Sequence, residues 1–354
     1  MTRIEPTLNR ESLGLIIGCG SVGKKHASLM SNRYKEIIIV DPNASVEDWA
    51  KANIHCNFDF FASLNDLDLE LLSTKFNITA VIATWGPLHY ENFMRLADAG
   101  VRKIVCEKPL ADSVERAAEI ERVSKELKIR LVVGIPRRHN NFAAHIQKLL
   151  YKYCGGEAQL ISVTGGAQCM ATTGIHWLDL AIQVFDHFPL SVDAKISDSK
   201  INPRDRALGF WEGTSAWEFP NEKRFVMSFT NSSRVGSKVD FYGKCGVLTL
   251  EPNGEISVKR IELSKEEIEL PVTRTKAPLN YPLQEDDSFD YSVNPFAVQL
   301  EVADGEQELF YPLGDAVRVL DALIGAFESS MTSKTQLLPL VEHSDAFKRR
   351  WQIS

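Results

Sequence analysis

The sequence predicts an α/β chain in two parts: a parallel-sheet domain over residues 1–136, then an α+β domain with a largely antiparallel open sheet over 137–354. Three observations predict it. In the first third, short apolar runs alternate with helical stretches, the grammar of βαβ units. Those runs are β-branched and apolar on both faces, as strands covered by helices on each side must be. Past about residue 136 helices thin out and strand follows strand, which marks a second, separate layer. A chain of 354 residues also exceeds one ordinary core.

The expected strands of the first part are 13–18 (LGLIIG), 36–40 (EIIIV), 80–84 (AVIAT), 103–107 (KIVCE) and 130–135 (RLVVGI). Between them the pattern gives helices over 22–31, 64–75, 89–99 and 113–127, the last with Ser113 as N-cap and Arg116, Glu119 and Arg122 on its wet face. In the second part a helix over 142–151 leads into strands at 158–165, 191–198, 207–219, 223–231, 237–243, 246–250 and 255–264. NEK (221–223) and PNGE (252–255) read as turns between neighbouring strands. Residues 265–296 are polar and contain proline, so a loop is expected, and a final helix spans 314–328.

Composition narrows the function classes. The net charge of −7 and pI near 5.7 argue against nucleic acid, whose phosphates need a basic surface. Six scattered cysteines show no CxxC pair and no metal-type spacing; they read as reduced thiols, and no metal is expected. The polar start MTRIEPTLNRES is not expected to act as a secretory signal, and no apolar run reaches the roughly 20 residues that span a bilayer. A cytoplasmic location is the expectation.

The strongest local signal is Gly18-Cys19-Gly20-Ser21-Val22-Gly23, a GxGxxG loop directly after a strand and opening a helix. In a Rossmann domain Gly18 makes the tight turn, Gly20 admits a pyrophosphate to the backbone, and Gly23 lets helix and strand pack closely. The pyrophosphate then meets the exposed N–H groups of the helix start. Asp41 closes the second strand 18 residues after Gly23, where a carboxylate accepts from ribose hydroxyls and repels a 2′-phosphate. No arginine follows in DPNAS, so NAD is expected over NADP. A methyltransferase binding S-adenosylmethionine also uses a glycine loop and an acid after the second strand, and stays open at this point.

Three further tracts carry candidate chemistry. Glu107-Lys108-Pro109 ends a buried strand, where open α/β sheets place ligands; a lysine beside a glutamate there can hold a substrate hydroxyl, or it is a solvated turn lysine. Thr84-Trp85 leaves the preceding strand in the same way, with Trp85 as a wall of the nicotinamide pocket or a buried plug, and His89 reads as a helix-start residue. On the helix opened by Gly174, His176, Asp179 and Gln183 share one face; a histidine there can move a proton, with Asp179 orienting it or touching substrate, or the three form an exposed polar stripe. Arg137 and Arg138 either meet a phosphate or carboxylate or serve the structure.

Taken together, GCGSVG (18–23), ATWGPLH (83–89), CEKPL (106–110), TTGIHWLDL (172–180) and VDFYGKCGVLTLEP (239–252) resemble the glucose–fructose oxidoreductase/inositol dehydrogenase/MocA-like family over about residues 11 to 330. The resemblance displaces the methyltransferase. It implies a sugar, cyclitol or sugar-nucleotide substrate, association as a homodimer or homotetramer through the sheet face, Lys108 contacting substrate hydroxyl and nicotinamide ribose, and His176 as general acid/base. It also implies a substrate role for position 172, where the family commonly has aspartate and this chain has Thr172. Threonine cannot carry charge or take a proton, so a relay runs through His176, Lys108 or water. The alternative reading is a non-catalytic NAD-binding or regulatory protein of the same fold. Selectivity is expected in the loops 197–206 and 265–296.

Overall fold

The computed structural model describes residues 10–166, 168–198, 202, 208–264, 266–267, 275–308 and 312–353. The expected loops 197–206 and 265–296, and the start of the strand expected at 207, lie partly outside them. The described residues form two compact units: those within Met1–Asp112, Arg116–Pro136 and Asn294–Gly314, and those within Ser113–Glu115, Arg137–Val293 and Asp315–Ser354.

The first unit is built on six parallel strands, β1 (Ser12–Ile17), β2 (Glu36–Val40), β3 (Asn57–Phe61), β4 (Asn77–Ile82), β5 (Lys103–Glu107) and β6 (Arg130–Gly134), in the order β3-β2-β1-β4-β5-β6. That order reverses at β1 and β4, and the ends of those strands are where a doubly wound sheet opens a crevice. Ile16, Ile39, Val81, Val105 and Val132 pack into one fully buried cluster, which explains runs that are apolar on both faces. Helices α1 (Ser21–Ser31), α2 (Ser45–Asn53), α3 (Leu69–Lys75), α4 (His89–Asp98) and α5 (Val114–Glu126) connect the strands.

The sequence pattern does not reveal β3 and α2. Strand β3 is an edge strand with Asp59 at its centre and no fully buried residue, so it lacks the apolar signature. The helix expected over 64–75 breaks into a single 3-10 turn at Leu64–Asp66 and α3, because Ser63 and Asp66 close a capping box and Asp68 then starts a new helix by accepting from the Leu71 N–H at 2.9 Å. Strand β4 ends at Ile82 rather than at 84, freeing Ala83 and Thr84 for the turn against which the glycine loop packs.

The second unit carries α6 (Phe142–Tyr153), α7 (Gly174–Phe185) and a nine-stranded sheet. Its strands are β7 (Leu160–Gly166), β8 (Ser191–Asp198), β9 (Trp211–Glu218), β10 (Arg224–Thr230), β11 (Lys238–Tyr242), β12 (Gly246–Leu250), β13 (Ile256–Arg260), β14 (Leu279–Tyr281) and β15 (Gln336–Leu337), in the order β14-β13-β12-β11-β7-β10-β9-β8-β15. All described pairings are antiparallel except β7 with β10. Burial alternates along β10, with Phe225, Met227 and Phe229 inward, the mark of a sheet with one covered face. Trp217 stacks on Phe225 and donates its indole N–H to the Ala322 carbonyl at 3.0 Å, so the largest core side chain leaves no orphan donor.

Two helices lie between β14 and β15, α8 (Pro295–Asp304) and α9 (Leu313–Thr332), and a short one, α10 (Asp345–Lys348), follows β15. Helix α8 lies in the segment expected to belong to the second domain, yet Leu300, Val302 and Ala303 join the core of the first unit. Among the described residues no helix is long and apolar enough to cross a membrane.

Candidate functional site

The glycine loop assigns each glycine a distinct physical job. Gly18 has φ +87°, a conformation that costs other residues, and a Cβ there would sit 2.7 Å from the Thr84 nitrogen. A Cβ on Gly23 would meet the Gly18 carbonyl oxygen at 2.1 Å, so only glycine lets α1 approach β1 this closely. A Cβ on Gly20 meets nothing within 4 Å. The loop is closed against protein at Gly18 and Gly23 and open at Gly20, beside the exposed Ser21 and part-exposed Val22 of the first helical turn. That is the cradle a pyrophosphate needs, and these residues fit a dinucleotide.

Asp41, just past β2, is tied into this loop. One carboxylate oxygen accepts from the Cys19 N–H at 2.7 Å and the other from the Asn43 N–H at 2.9 Å. Part of the acid stays exposed, which leaves lone pairs for ribose hydroxyls. Burial, then the charge of Asp41, push the Cys19 thiol up to about 12, so it stays protonated and inert. All six cysteines are free thiols.

The turns after β4 and β5 are joined by one buried ring. His89, the first residue of α4, sets Nδ1 2.7 Å from the Pro109 carbonyl oxygen and Nε2 2.9 Å from that of Thr84. Thr84 Oγ1 also accepts from the Asn92 side-chain amide at 3.2 Å. Lys108 follows β5 through a cis bond to Pro109 and stays part-exposed, and Trp85 is exposed on the neighbouring turn. Glu107 is buried, and its carboxylate meets Nε2 of His26 on α1 at 3.0 Å. A Cβ on Gly134 of β6 would stand 2.6 Å from that carboxyl carbon. Glu107 therefore braces the end of β5 between α1 and β6. Glu107 is expected from the sequence beside Lys108 among the cofactor-binding residues, and the sequence gives no signal for His26 or Gly134; His89, expected at a helix start, is a cross-link as well.

In the second unit, His176 is part-exposed on the first turn of α7, and Thr172 lies just before that helix, also part-exposed. Asp179, expected on a polar stripe with His176, is instead fully buried. Its carboxylate accepts from Arg138 Nε at 2.7 Å and from the Gln183 amide at 2.6 Å. Burial raises the Asp179 carboxyl against the opposing pull of the Arg138 guanidinium, which is the signature of a dry ion pair. Arg138 also donates to Asp315 at 3.0 Å. The adjacent Arg137 does something else, lying over the Trp177 ring at 3.9 Å beside a cavity of about 340 Å³.

The class that this geometry defines is a protein with a dinucleotide-binding Rossmann unit. Residues 14–135, about a third of the chain, match the GFO/IDH/MocA family, described as an oxidoreductase family with an NAD-binding Rossmann fold. The chain is 26% identical over 152 residues to an inositol 2-dehydrogenase/D-chiro-inositol 3-dehydrogenase of Shouchella clausii, an alignment covering 41% of this chain and 42% of that relative. The match thus spans less than half of that relative's length. An inositol 2-dehydrogenase of Rhizobium meliloti is 25% identical over 265 residues, 69% of this chain and 77% of the relative. The fold is shared with the crystal structure of an NAD-binding protein from Listeria innocua, at TM-score 0.71 and 16% identity over 95% of this chain and 99% of that one.

Proposed function

We propose that the protein is an NAD-dependent dehydrogenase or reductase acting on a hydroxyl or ketone of a sugar, cyclitol or sugar nucleotide. One observation carries the proposal: in the first unit, the glycine loop packs on the Thr84 turn, and His89 ties that turn to the backbone of the Lys108 turn. The dinucleotide cradle at the switch point of the sheet and the backbone that carries Lys108, one strand further on, thereby share one framework, which supports placing the ligand there.

The cradle of Gly18 to Gly23 would hold the pyrophosphate and Asp41 the adenosine ribose. When bound, the nicotinamide supplies a hydride acceptor or donor. Lys108 brings positive charge to a substrate oxygen as it becomes alkoxide-like, and stabilisation of developing charge commonly contributes more to catalysis than any other single effect. His176 takes or returns the hydroxyl proton, a role worth about 10²–10⁴-fold in rate. Thr84 and Trp85 would shape the nicotinamide side. Thr172 offers a hydroxyl but no second base. Asp179 and Glu107 act as braces rather than as contacts to substrate or cofactor. The inositol dehydrogenases among the relatives support a polyol substrate.

Replacing Lys108 with Met removes the ammonium and keeps the aliphatic stem. Turnover, followed by NADH absorbance across inositols, free sugars and nucleotide sugars, should fall at least about 10²-fold while NAD affinity stays within a few-fold. Turnover at the native level in this variant would refute the assignment. Thr172 favours the second reading, a non-catalytic NAD-binding protein; NADH binding with silence across the whole panel would select it.

A further inference from the structure

The cavity of about 340 Å³ lies wholly within the second unit and has the size of a small-ligand site. Arg137 is its notable wall. Its guanidinium lies 3.9 Å over the Trp177 ring, but a π face satisfies none of its five N–H donors. Among the described residues no hydrogen bond or ion pair holds those donors. Arg138, one residue on, shows the opposite arrangement, with carboxylates from both Asp179 and Asp315. Asp179 and Tyr291 are the acidic groups whose charge reaches Arg137, and Asp179 is already neutralised by Arg138. Burial pulls Arg137 down to about 10, so the group remains a cation at neutral pH without a counter-ion of its own.

Two more lining residues are left unsatisfied. The Ser237 hydroxyl and the Trp177 indole N–H are buried and have no hydrogen-bond partner. Buried polar atoms ordinarily find partners, so a wall with two orphan groups and an unpaired guanidinium is a wall built for something polar. Tyr291 and Trp177 add aromatic surface, and Glu251 adds an acceptor for hydroxyls.

We propose that this cavity binds the anionic end of a hydroxylated ligand, a sugar or cyclitol bearing one carboxylate or phosphate, with Arg137 as its counter-ion. The identification of the ligand as sugar-type rests on the dehydrogenase reading above; the anion preference rests on the cavity. Arg137 presents a planar fork that matches a carboxylate or a phosphate through paired N–H···O bonds. Ser237 and the Trp177 N–H serve the remaining oxygens. Arg137 would thus set which polyols the protein accepts.

Calorimetric titration of the full-length protein with matched pairs tests this: D-glucuronate and D-glucose 6-phosphate against D-glucose, D-gluconate against D-glucitol, and a myo-inositol monophosphate against myo-inositol. At least one anionic member should bind roughly 10–100-fold tighter than its neutral twin, the range expected of charge-assisted hydrogen bonds, and the carboxylate and phosphate arms tell which anion is meant. Arg137→Met should bring the twins to within about twofold of each other, and Arg137→Lys should restore part of the gap, with NAD affinity unchanged in both. Equal affinities in the native protein, no binding in any pair, or a preference that survives Arg137→Met would overturn the inference. NADH formation on each sugar, measured alongside, separates the two proposals. An anion preference without hydride transfer defeats the dehydrogenase reading and leaves this site standing, whereas hydride transfer on neutral polyols without an anion preference does the reverse.

Discussion

At the scale of single residues, His89 shows how one side chain can hold two turns. Its ring faces two carbonyl oxygens, yet a neutral imidazole has a single N–H to give. Burial pushes its pKa down against the opposing pull of the Thr84 and Pro109 carbonyls, so the ring is neutral in the folded protein. The sign follows from proton linkage. The unfolded ring takes a proton near pH 6.5, while the folded ring resists it to lower pH, so the unfolded state binds more protons in that window. The stability due to His89 is present above about pH 6.5 and is lost as the pH falls from there toward the lowered folded value. His89→Phe keeps a ring and removes the one N–H that the imidazole donates between the two carbonyls. Its deficit against the native protein, measured by urea unfolding at a series of pH values, should be largest near neutrality and shrink on acidification. A deficit that stays constant with pH would show that the ring titrates alike in both states. Sequence places His89 at a helix start and no further, because its partners are fixed by the parallel pairing of β4 with β5 and not by spacing along the chain.

At the scale of elements, α8 is the instructive case. Asn294 caps the helix by accepting from the Phe296 N–H at 3.0 Å, and Pro295 occupies the first turn, where its missing N–H costs nothing. The dipeptide Asn-Pro is a legible helix start, but the polar, proline-containing run before it makes the same residues look like the end of a loop. Nothing in the sequence says which core the helix joins. Its last residue, Asp304, answers that: the carboxylate accepts from Arg33 Nε at 2.6 Å, the Tyr34 hydroxyl at 2.7 Å and the Thr79 hydroxyl at 2.6 Å. Burial alone would raise this acid, but those hydrogen bonds hold it below the usual carboxylate range. Asp304→Ala would remove one of the two carboxylates on Arg33, leaving Glu306, and would take the acceptor from the Tyr34 and Thr79 hydroxyls. Breaking a largely buried ion pair costs about 3–5 kcal/mol, and the part exposure here places the expectation at the lower end, about 3 kcal/mol. Denaturant unfolding should show a lower midpoint with an unchanged slope; a loss under about 1 kcal/mol would mark Asp304 as a surface acid.

At the scale of the whole molecule, what can be read from sequence is what is local in the chain. The parallel unit, the antiparallel sheet and the glycine loop follow from periodicity and from spacings of a few residues. The fates of Arg137 and Arg138 do not: adjacent in sequence, one is sealed by Asp179 and Asp315 while the other is left to a cavity wall, a division made by partners distant in the chain. Asp179 looks like an exposed acid for the same reason, because helical spacing gives its face but not the arginine that closes over it.

The cofactor preference is where local reading makes its sharpest whole-molecule prediction. Asp41 presents a carboxylate whose two oxygens are already aligned by the Cys19 and Asn43 N–H groups. In the proposed function it would accept from ribose hydroxyls and repel a 2′-phosphate. A ligand that binds only the folded chain stabilises it by RT ln(1 + [L]/Kd), about 2.7 kcal/mol at a hundredfold excess over Kd. NAD should therefore raise the melting temperature by several degrees at concentrations where NADP moves it little. Asp41→Ala should shrink the NAD shift, since a charge-assisted bond worth about 1.5–3 kcal/mol is lost, and should enlarge the NADP shift as the repulsion disappears. Equal shifts from both cofactors in the native protein, or an Asp41→Ala variant that still favours NAD as strongly, would mean that something other than this carboxylate selects the cofactor.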